Sequence, residues 1–343
     1  MIAIAILNWN GRVFLEQFLP SVVAHSPAET ARIYVIDNAS TDDSVAFVRS
    51  HFPQIVCIEL DTNFGFAEGY NKGLAHISAE YYVLLNSDVE VTPNWTDTII
   101  AYMKAHPRCA AAMPKILSYT KRDYFEYAGA AGGFIDRYGF PFCDGRLFSE
   151  VQKDCGQYNS KKEIFWASGA AFFVRSEVYW ACGGLDADFF AHMEEIDLCW
   201  RMKNAGYTIM YIPQSAVYHV GGGALPAFNP FKTYLNFRNN LYVLYKNLPH
   251  KHFVQIIFIR MIFDGAAFLQ FALSGKWGDA KAVFKAHRDF YKALPTLRTK
   301  RKELQAKHKA VQHPQMYMGS IVWDFYLRGK KAIDMTATKR AQA

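Results

Sequence analysis

YVLLNSDVEV (residues 82–91) is an apolar run that ends abruptly in short polar groups and a carboxylate. The unbroken Val83, Leu84 and Leu85 predict a strand covered on both faces, as in a sheet lying between two layers of helices. Ligands of open α/β sheets bind just past the carboxyl ends of such strands, which would place Asn86, Ser87 and Asp88 at a site. The same residues would equally suit a plain turn into the helix suggested by TPNWTDTIIAYMKAH (92–106). This stretch alone leaves both readings open.

Short apolar strands alternate with helical stretches on either side of it. Strands are predicted at IAIAIL (2–7), RIYVID (32–37), IVCIEL (55–60), YYVLLN (81–86) and CAAAMP (109–114). Helices are predicted within LEQFLPSVVAH (15–25), STDDSVAFVRSHF (40–52), EGYNKGLAHIS (68–78) and WTDTIIAYMKAH (95–106). This alternation implies a parallel sheet with helical crossovers. Residues 118–163 are rich in aromatics and glycine without periodicity, and are expected to form loops or irregular strands over the sheet edge. Beyond them, EIFWASGAAFFVRSEVY (163–179) predicts a strand and a short helix, and GGLDADFFAHMEEIDLCWRMKNAGY (183–207) a loop and a helix ending near Gly206. TIMYIP and SAVYHV predict two further strands before a run of three glycines.

The 343 residues are 51% hydrophobic, enough for a large core and too apolar for wholesale disorder. Six cysteines without CxxC or metal spacing are expected to be reduced structural thiols. The opening MIAIAILNWNG reads as a strand rather than a secretory leader, so a cytoplasmic location is expected. Charge is unevenly shared: residues 226–343 carry 21 Lys and Arg against 6 Asp and Glu, whereas residues 1–225 carry 17 against 25. A basic tail on an acidic body points to an anionic partner, membrane surface or nucleic acid, and no nucleic-acid motif accompanies the charge. Arg260 and Asp264 interrupt the most apolar segment (253–277), which argues against a clean membrane span. Helices lying in the membrane interface fit this region, with packing on the body or on another subunit as the alternative.

Four groups of polar residues could carry chemistry. NWNG puts Asn8 and Asn10 at the end of the first strand, and VIDNASTDD puts Asp37 and Asn38 at the end of the second, where they could meet a base edge or ribose hydroxyl. No GxGxxG follows the first strand, which disfavours a dinucleotide oxidoreductase. In NFGFAEGYNKG, Gly65 and its neighbours allow close backbone approach while Asn63, Asn71 and Lys72 offer polar groups near a helix N-terminus. In HMEEIDLCWR, Asp197 and Arg201 are spaced for an i,i+4 ion pair, and Glu194 and Glu195 open a helix whose dipole would keep a base ionised. His219 follows a short strand and could join Asp88 in holding Mn²⁺ or Mg²⁺.

These motifs, with SGAAFFVRSEVY and VYHVGGG, occur in the order and approximate spacing of the family 2 glycosyltransferases, and most resemble its rhamnosyltransferase-like branch. The resemblance implies a GT-A fold: a nucleotide-diphospho-sugar transferase domain with a mostly parallel central sheet flanked by helices. That domain would occupy residues 1–225, with donor binding in 1–117 and acceptor and catalytic groups in 118–225, and a basic amphipathic helical region (226–343) would follow. It implies that Asp88 ends the metal-binding DxD motif, written NSD here with Asn86 and Ser87, and that His219 helps hold the metal or diphosphate. Asn8, Asn10, Asp37, Asn38, Asn63, Gly65, Asn71 and Lys72 fall in the donor site. EEID resembles the EDxD segment, making Glu195 the catalytic base and Glu194 the reserve. The implied reaction moves a sugar, with inversion, from a thymidine- or uridine-diphosphate donor to a hydroxyl of a glycan or lipid-linked glycan. It would take place at the inner face of the cytoplasmic membrane, by a monomer or a homodimer. The alternatives are a sugar-nucleotide nucleotidyltransferase, which would need a glycine-rich basic loop after the first strand, and a degenerate protein that only binds nucleotide or glycan.

Overall fold

The computed structural model describes residues 1–221, 229–251, 253–333 and 335. Of the glycine run after His219, Gly222 and Gly223 lie outside the described residues. The amino-terminal half runs β1 (Ile2–Asn8), α1 (Arg12–Ala24), β2 (Ala31–Asp37), α2 (Ser44–His51), β3 (Val56–Glu59), α3 (Gly65–Leu74), β4 (Tyr81–Asn86), β5 (Val89–Val91), α4 (Asp97–Ala105) and β6 (Cys109–Ser118). Four short strands follow, β7 (Gly133–Asp136), β8 (Pro141–Cys143), β9 (Arg146–Leu147) and β10 (Glu150–Val151), then β11 (Lys162–Ile164), β12 (Ala171–Arg175) and α5 (Ser176–Ala181). A 3₁₀ turn (Ala187–Phe189) leads into α6 (Glu194–Asn204) and β13 (Thr208–His219). The remainder comprises α7 (Pro230–Asn247), α8 (Phe253–Leu273), α9 (Trp277–Lys307), β14 (Met316–Tyr317) and α10 (Ile321–Tyr326).

Nine strands form the central sheet in the order β11-β13-β6-β12-β4-β1-β2-β3, with β5 added on β13. β1, β2, β3 and β4 pair in parallel, as the alternation predicted. The sheet is nevertheless mixed, because β12 runs antiparallel between β4 and β6. The core is built around the apolar strands β1 and β4, covered on both faces, and includes Trp95 and Phe173 in edge contact. α3 packs so closely on β2 that a Cβ on Gly73 would lie 2.3 Å from Ile36, a contact only glycine allows.

One expectation is corrected here, and a region expected to hold loops or irregular strands is found to be more ordered. TIMYIP and SAVYHV are one strand, β13, whose pairing with β6 jumps from Ile212–Pro114 to Ala216–Lys115. Residues 213–215 bulge out, Pro213 having no N–H for a ladder. The bulge turns the end of β13 toward β5, where His219 pairs with Val89, the residue after Asp88. The aperiodic region after β6 also contains a second sheet, β10-β9-β8-β7-β14, whose last strand comes from residues 316–317. The carboxyl-terminal region thus contributes to the body's structure: α7 lies against α6, and Arg260 on α8 reaches the backbone of Tyr138 at 3.4 Å.

Candidate active site

The carboxyl ends of β1, β2 and β4 meet at one edge, and their polar residues bond to each other. Asn8 donates its amide to Asp37 Oδ1 (2.9 Å) and Ser40 Oγ (3.1 Å), and Asp37 Oδ2 accepts the Ser40 N–H at 2.9 Å. Asn38 donates to Asn63 Oδ1 (3.0 Å) and to the Gly65 carbonyl (2.9 Å), and accepts the Phe64 N–H at 3.0 Å. Asn10, at φ 50°, accepts the Thr41 N–H at 2.7 Å and so fixes the loop after β2. Asn8 Oδ1 is buried without a hydrogen-bond partner. An orphaned acceptor costs about 1–3 kcal/mol unless something donates to it, so this edge suits a ligand carrying N–H or O–H groups. Gly11 faces Asn8, and Ser87 stands beside it: a Cβ on Gly11 would fall 2.4 Å from Asn8 Oδ1 and 3.7 Å from Ser87 Oγ.

Asp88, just past β4, is buried and bonded to His219 Nε2 at 3.1 Å. His219 Nδ1 lies 3.1 Å from Glu126 Oε2, an ion-pair contact without good hydrogen-bond alignment. Burial pushes the imidazole toward neutrality, but two flanking carboxylates outweigh it and raise the pKa to about 10. Burial likewise pushes Asp88 up, and the His219 hydrogen bond and charge hold it below the usual carboxylate value. Asn86 Nδ2 is 3.4 Å from His219 Nε2. Glu126 carried no signal in the sequence, because it sits in the aperiodic region and only tertiary folding brings it to His219.

The carboxylates of α6 have a different environment. Glu194 and Glu195 each have one buried oxygen without a partner, and Glu195 is partly exposed. Burial raises the Glu195 pKa to about 7, and the backbone N–H groups at the helix start offset it only partly. Glu194 is raised well above its ordinary value by burial and by the neighbouring charges of Glu195 and Asp197. The expectation that the helix dipole would keep this pair ionised is therefore corrected: desolvation exceeds the dipole, typically worth about 0.3–1 kcal/mol. Glu194 also acts electrostatically on Tyr70, whose hydroxyl reaches the Leu85 carbonyl at 3.1 Å, so the pair lies close to the ends of β1 and β4. Asp197 forms the ion pair with Arg201 that its spacing suggested (2.8 Å), and also takes Lys246 at 2.9 Å and Asn247 at 2.8 Å.

Three non-glycine residues before α6 have left-handed backbones: Phe190 (φ 65°), His192 (68°) and Met193 (74°). Each costs on the order of 1–3 kcal/mol and persists only where its surroundings impose it. Asn239 on α7 supplies that constraint, its amide donating to the carbonyls of Phe189 (2.9 Å), Ala191 (2.8 Å) and His192 (2.7 Å). Arg238 Nε donates to Asn239 Oδ1 at 2.8 Å, which orients the amide, and Arg238 Nη2 donates to the Asp188 and Phe189 carbonyls, both at 2.9 Å. His192 is half-buried, its Nε2 is shut away from solvent without a partner, and desolvation with the Lys232 charge lowers its pKa to about 4. Lys232 also interacts electrostatically with Glu126, so the first turn of α7 lies near both His192 and the Glu126–His219–Asp88 group.

Part of the NFGFAEGYNKG segment serves this loop rather than facing the strand ends. The N–H groups of Phe66 and Ala67 at the start of α3 donate to the Phe190 carbonyl at 2.7 and 3.1 Å, so that helix terminus is already capped. Gly65 (φ 75°) lies against the Phe190 ring, where a Cβ would come within 2.4 Å of it. Asn71 bonds both backbone groups of Leu185 (2.7 and 3.1 Å) and the Tyr179 hydroxyl (2.7 Å), which makes it a latch on the loop before α6. Lys72 is exposed and 3.9 Å from Glu68. Neither Asn71 nor Lys72 joins the network at the strand ends, because their positions on α3 turn them away from it.

Among the described residues, no three carboxylate, imidazole or thiolate groups converge on one point. Asp88 and His219 fit a divalent cation as two adjacent oxygen and nitrogen donors, with remaining positions left to phosphate and water oxygens. Glu126 on Nδ1 fits the carboxylate contact that commonly orients a ligating imidazole.

Residues 3–183, just over half of the chain, match the model of Glycosyl transferase family 2. The chain is 24% identical over 223 residues to N-acetylglucosaminyl-diphospho-decaprenol L-rhamnosyltransferase of Mycobacterium tuberculosis, covering 60% of this chain and 71% of that protein. It is 23% identical over 163 residues to rhamnosyltransferase WbbL of Escherichia coli K12, covering 46% of this chain and 61% of that protein. The fold resembles S. aureus TarS residues 1–349 in complex with UDP-GlcNAc, with a TM-score of 0.57, 15% identity, and coverage of 89% of this chain and 87% of that one. It also resembles GalNAc-T7 with UDP, GalNAc and Mn²⁺, with a TM-score of 0.57, 15% identity, and coverage of 73% of this chain and 48% of that one. A mixed sheet with polar strand ends, a family match spanning them and rhamnosyltransferases among the relatives agree: the chain belongs to glycosyl transferase family 2, in its rhamnosyltransferase-like branch, with a GT-A fold.

Proposed function

We propose that this glycosyltransferase transfers a sugar, with inversion, from a thymidine- or uridine-diphosphate donor, rhamnose being favoured, to a hydroxyl of a lipid-linked glycan. The buried Asp88–His219 pair at the end of the central strand carries this reading. The donor nucleotide lies along Asn8, Asp37, Asn38 and Asn63, with its diphosphate toward Asp88 and His219. These two residues would hold Mn²⁺ or Mg²⁺, which when bound offsets negative charge on the leaving diphosphate. His219 must then release its Nε2 proton, while Glu126 retains the contact on Nδ1.

Glu195 takes the proton from the acceptor hydroxyl. That oxygen bonds to the anomeric carbon as the bond from carbon to the diphosphate oxygen breaks, and the electron pair leaves with the nucleotide diphosphate. Glu194, more deeply buried, retains its proton and spares the pair a second negative charge. A base with a pKa of about 7 must be ionised to act, so kcat/KM is expected to rise with pH, level off above about 7, and fall tenfold per unit well below it. A profile flat from pH 5.5 to 8.5 would remove Glu195 from this role.

The test of the donor site is the thermal midpoint of the protein with thymidine, uridine, guanosine and adenosine diphosphates, with and without Mn²⁺ or Mg²⁺. A ligand of the native state raises the midpoint according to its affinity. A metal-dependent rise with a pyrimidine diphosphate is expected, and Asp88→Ala is expected to abolish the metal-dependent part. Binding without sugar transfer or donor hydrolysis would favour the degenerate binding protein instead.

A further inference from the structure

α8 is amphipathic in the opposite sense from a helix on a water-exposed surface. Its inward positions, four residues apart, are Ile256, Arg260 and Asp264, all buried. Arg260 Nε donates to Asp264 Oδ1 at 2.8 Å, and His287 of α9 meets Asp264 Oδ2 at 3.0 Å. Arg260 also donates to Asn240 on α7 and lies over the Phe140 ring, 4.0 Å from its centroid. The only two charged side chains of α8 are therefore consumed inside the protein. On its outer face Val254, Phe258, Ile262, Leu269 and Leu273 are 57–89% exposed, with Gly265 and Ala266 between them and only Gln255 and Gln270 as polar neighbours.

α9 extends this surface. Trp277, Phe284 and Tyr291 recur every seven residues on one face and are 52–68% exposed. The Tyr291 hydroxyl reaches Met261 Sδ at 3.4 Å, which sets that face beside α8. The next positions around α9 are the exposed Lys281, Lys285, Arg288 and Lys292. An apolar strip bordered first by aromatic and then by basic side chains matches the layering of a bilayer surface: acyl chains, interface, anionic headgroups. α8 is long and apolar enough to cross a membrane, but a span would expose to lipid the side that packs on α7 and α9.

We propose that the outer face of α8 and the adjoining aromatic and basic face of α9 form a docking surface for an anionic lipid bilayer, on which α8 lies in the plane of the interface. A second copy of the chain fits less well, because the outer face of α8 offers no carboxylate to the basic border of α9, whereas anionic headgroups neutralise that border. The surface would give a lipid-linked acceptor its purpose, but it stands on these side chains independently of the transfer reaction.

The experiment is flotation of the full chain with phosphatidylcholine vesicles, alone or mixed with phosphatidylglycerol, at low and high salt. The protein is expected to float with the anionic vesicles at low salt, and binding is expected to weaken as salt rises. Phe258→Glu with Leu269→Glu should weaken binding more than tenfold. Lys281→Glu with Lys292→Glu should weaken it at least about fivefold per residue, the equivalent of roughly 1 kcal/mol for each basic group near an anionic surface. Nucleotide-dependent thermal shifts and transfer to a water-soluble acceptor should be unchanged in both variants, which separates failure of the surface from failure of the proposed reaction. Wild-type protein that stays out of the floating fraction, or variants that bind as wild type does, would overturn the proposal. So would a sedimenting dimer that the same substitutions dissociate, which would assign the face to a second copy.

Discussion

Glu195→Gln is expected to lower kcat by more than about a hundredfold, the usual range of general-base catalysis, and to leave nucleotide-diphosphate binding nearly unchanged. Gln keeps the length and one oxygen of the side chain but cannot accept a proton at neutral pH. Because Glu195 holds its charge only weakly, with a pKa raised to about 7 by burial, the neutral amide should also fit the folded protein without loss of stability. The pH-dependent rise in rate should disappear with the carboxylate, leaving a low and flat residual rate. Single-turnover kinetics and nucleotide titrations on the same preparation would check this. A rate near wild type would shift the role to Glu194, and the corresponding Glu194→Gln variant would then show the large loss.

Asn239→Leu is expected to lower kcat by about a hundredfold, although Asn239 need not touch substrate. Its amide is the donor for the Phe189, Ala191 and His192 carbonyls of the left-handed segment that sets Glu194 and Glu195 at the start of α6. Leu fills the same volume and removes both N–H groups, leaving buried acceptors that cost about 1–3 kcal/mol each. The segment would then relax toward ordinary backbone angles, and a displacement of about 1 Å at a reacting group costs on the order of a hundredfold. Asn239 is a positioning residue, so the decisive readouts are separable: kcat should fall and the pH midpoint should move as the burial of Glu195 changes, while the affinity for nucleotide diphosphate stays within a few-fold. Parallel losses in kcat, nucleotide affinity and thermal midpoint would instead mean general destabilisation.

These two positions differ in how they could be found. Glu195 lies in a helix-start pattern of carboxylates that is visible in a linear reading, as are Asp88 after an apolar strand and Asn8, Asp37 and Asn38 at the ends of two others. Strand ends are legible because apolar runs and their polar stops are local, and in a parallel sheet each such stop falls on the same edge. Asn239 is one amide in the unremarkable stretch YLNFRNNLY, and its importance lies in three carbonyls 47 to 50 residues away. Glu126, in a region without periodicity, becomes significant only through its 3.1 Å approach to His219.

The sequence by itself determined the βαβ alternation, the polar edge of the sheet, the family and the basic carboxyl-terminal third, because each depends on residue type and local order. Tertiary structure decided the antiparallel insertion of β12, the bulge that carries His219 to Asp88, the inward turn of Arg260 and Asp264, and the protonation behaviour of Glu194 and Glu195. The last case shows the physical reason most directly: a helix dipole can be read from where a helix begins, whereas desolvation depends on everything packed around the carboxylate, and here desolvation is the larger effect.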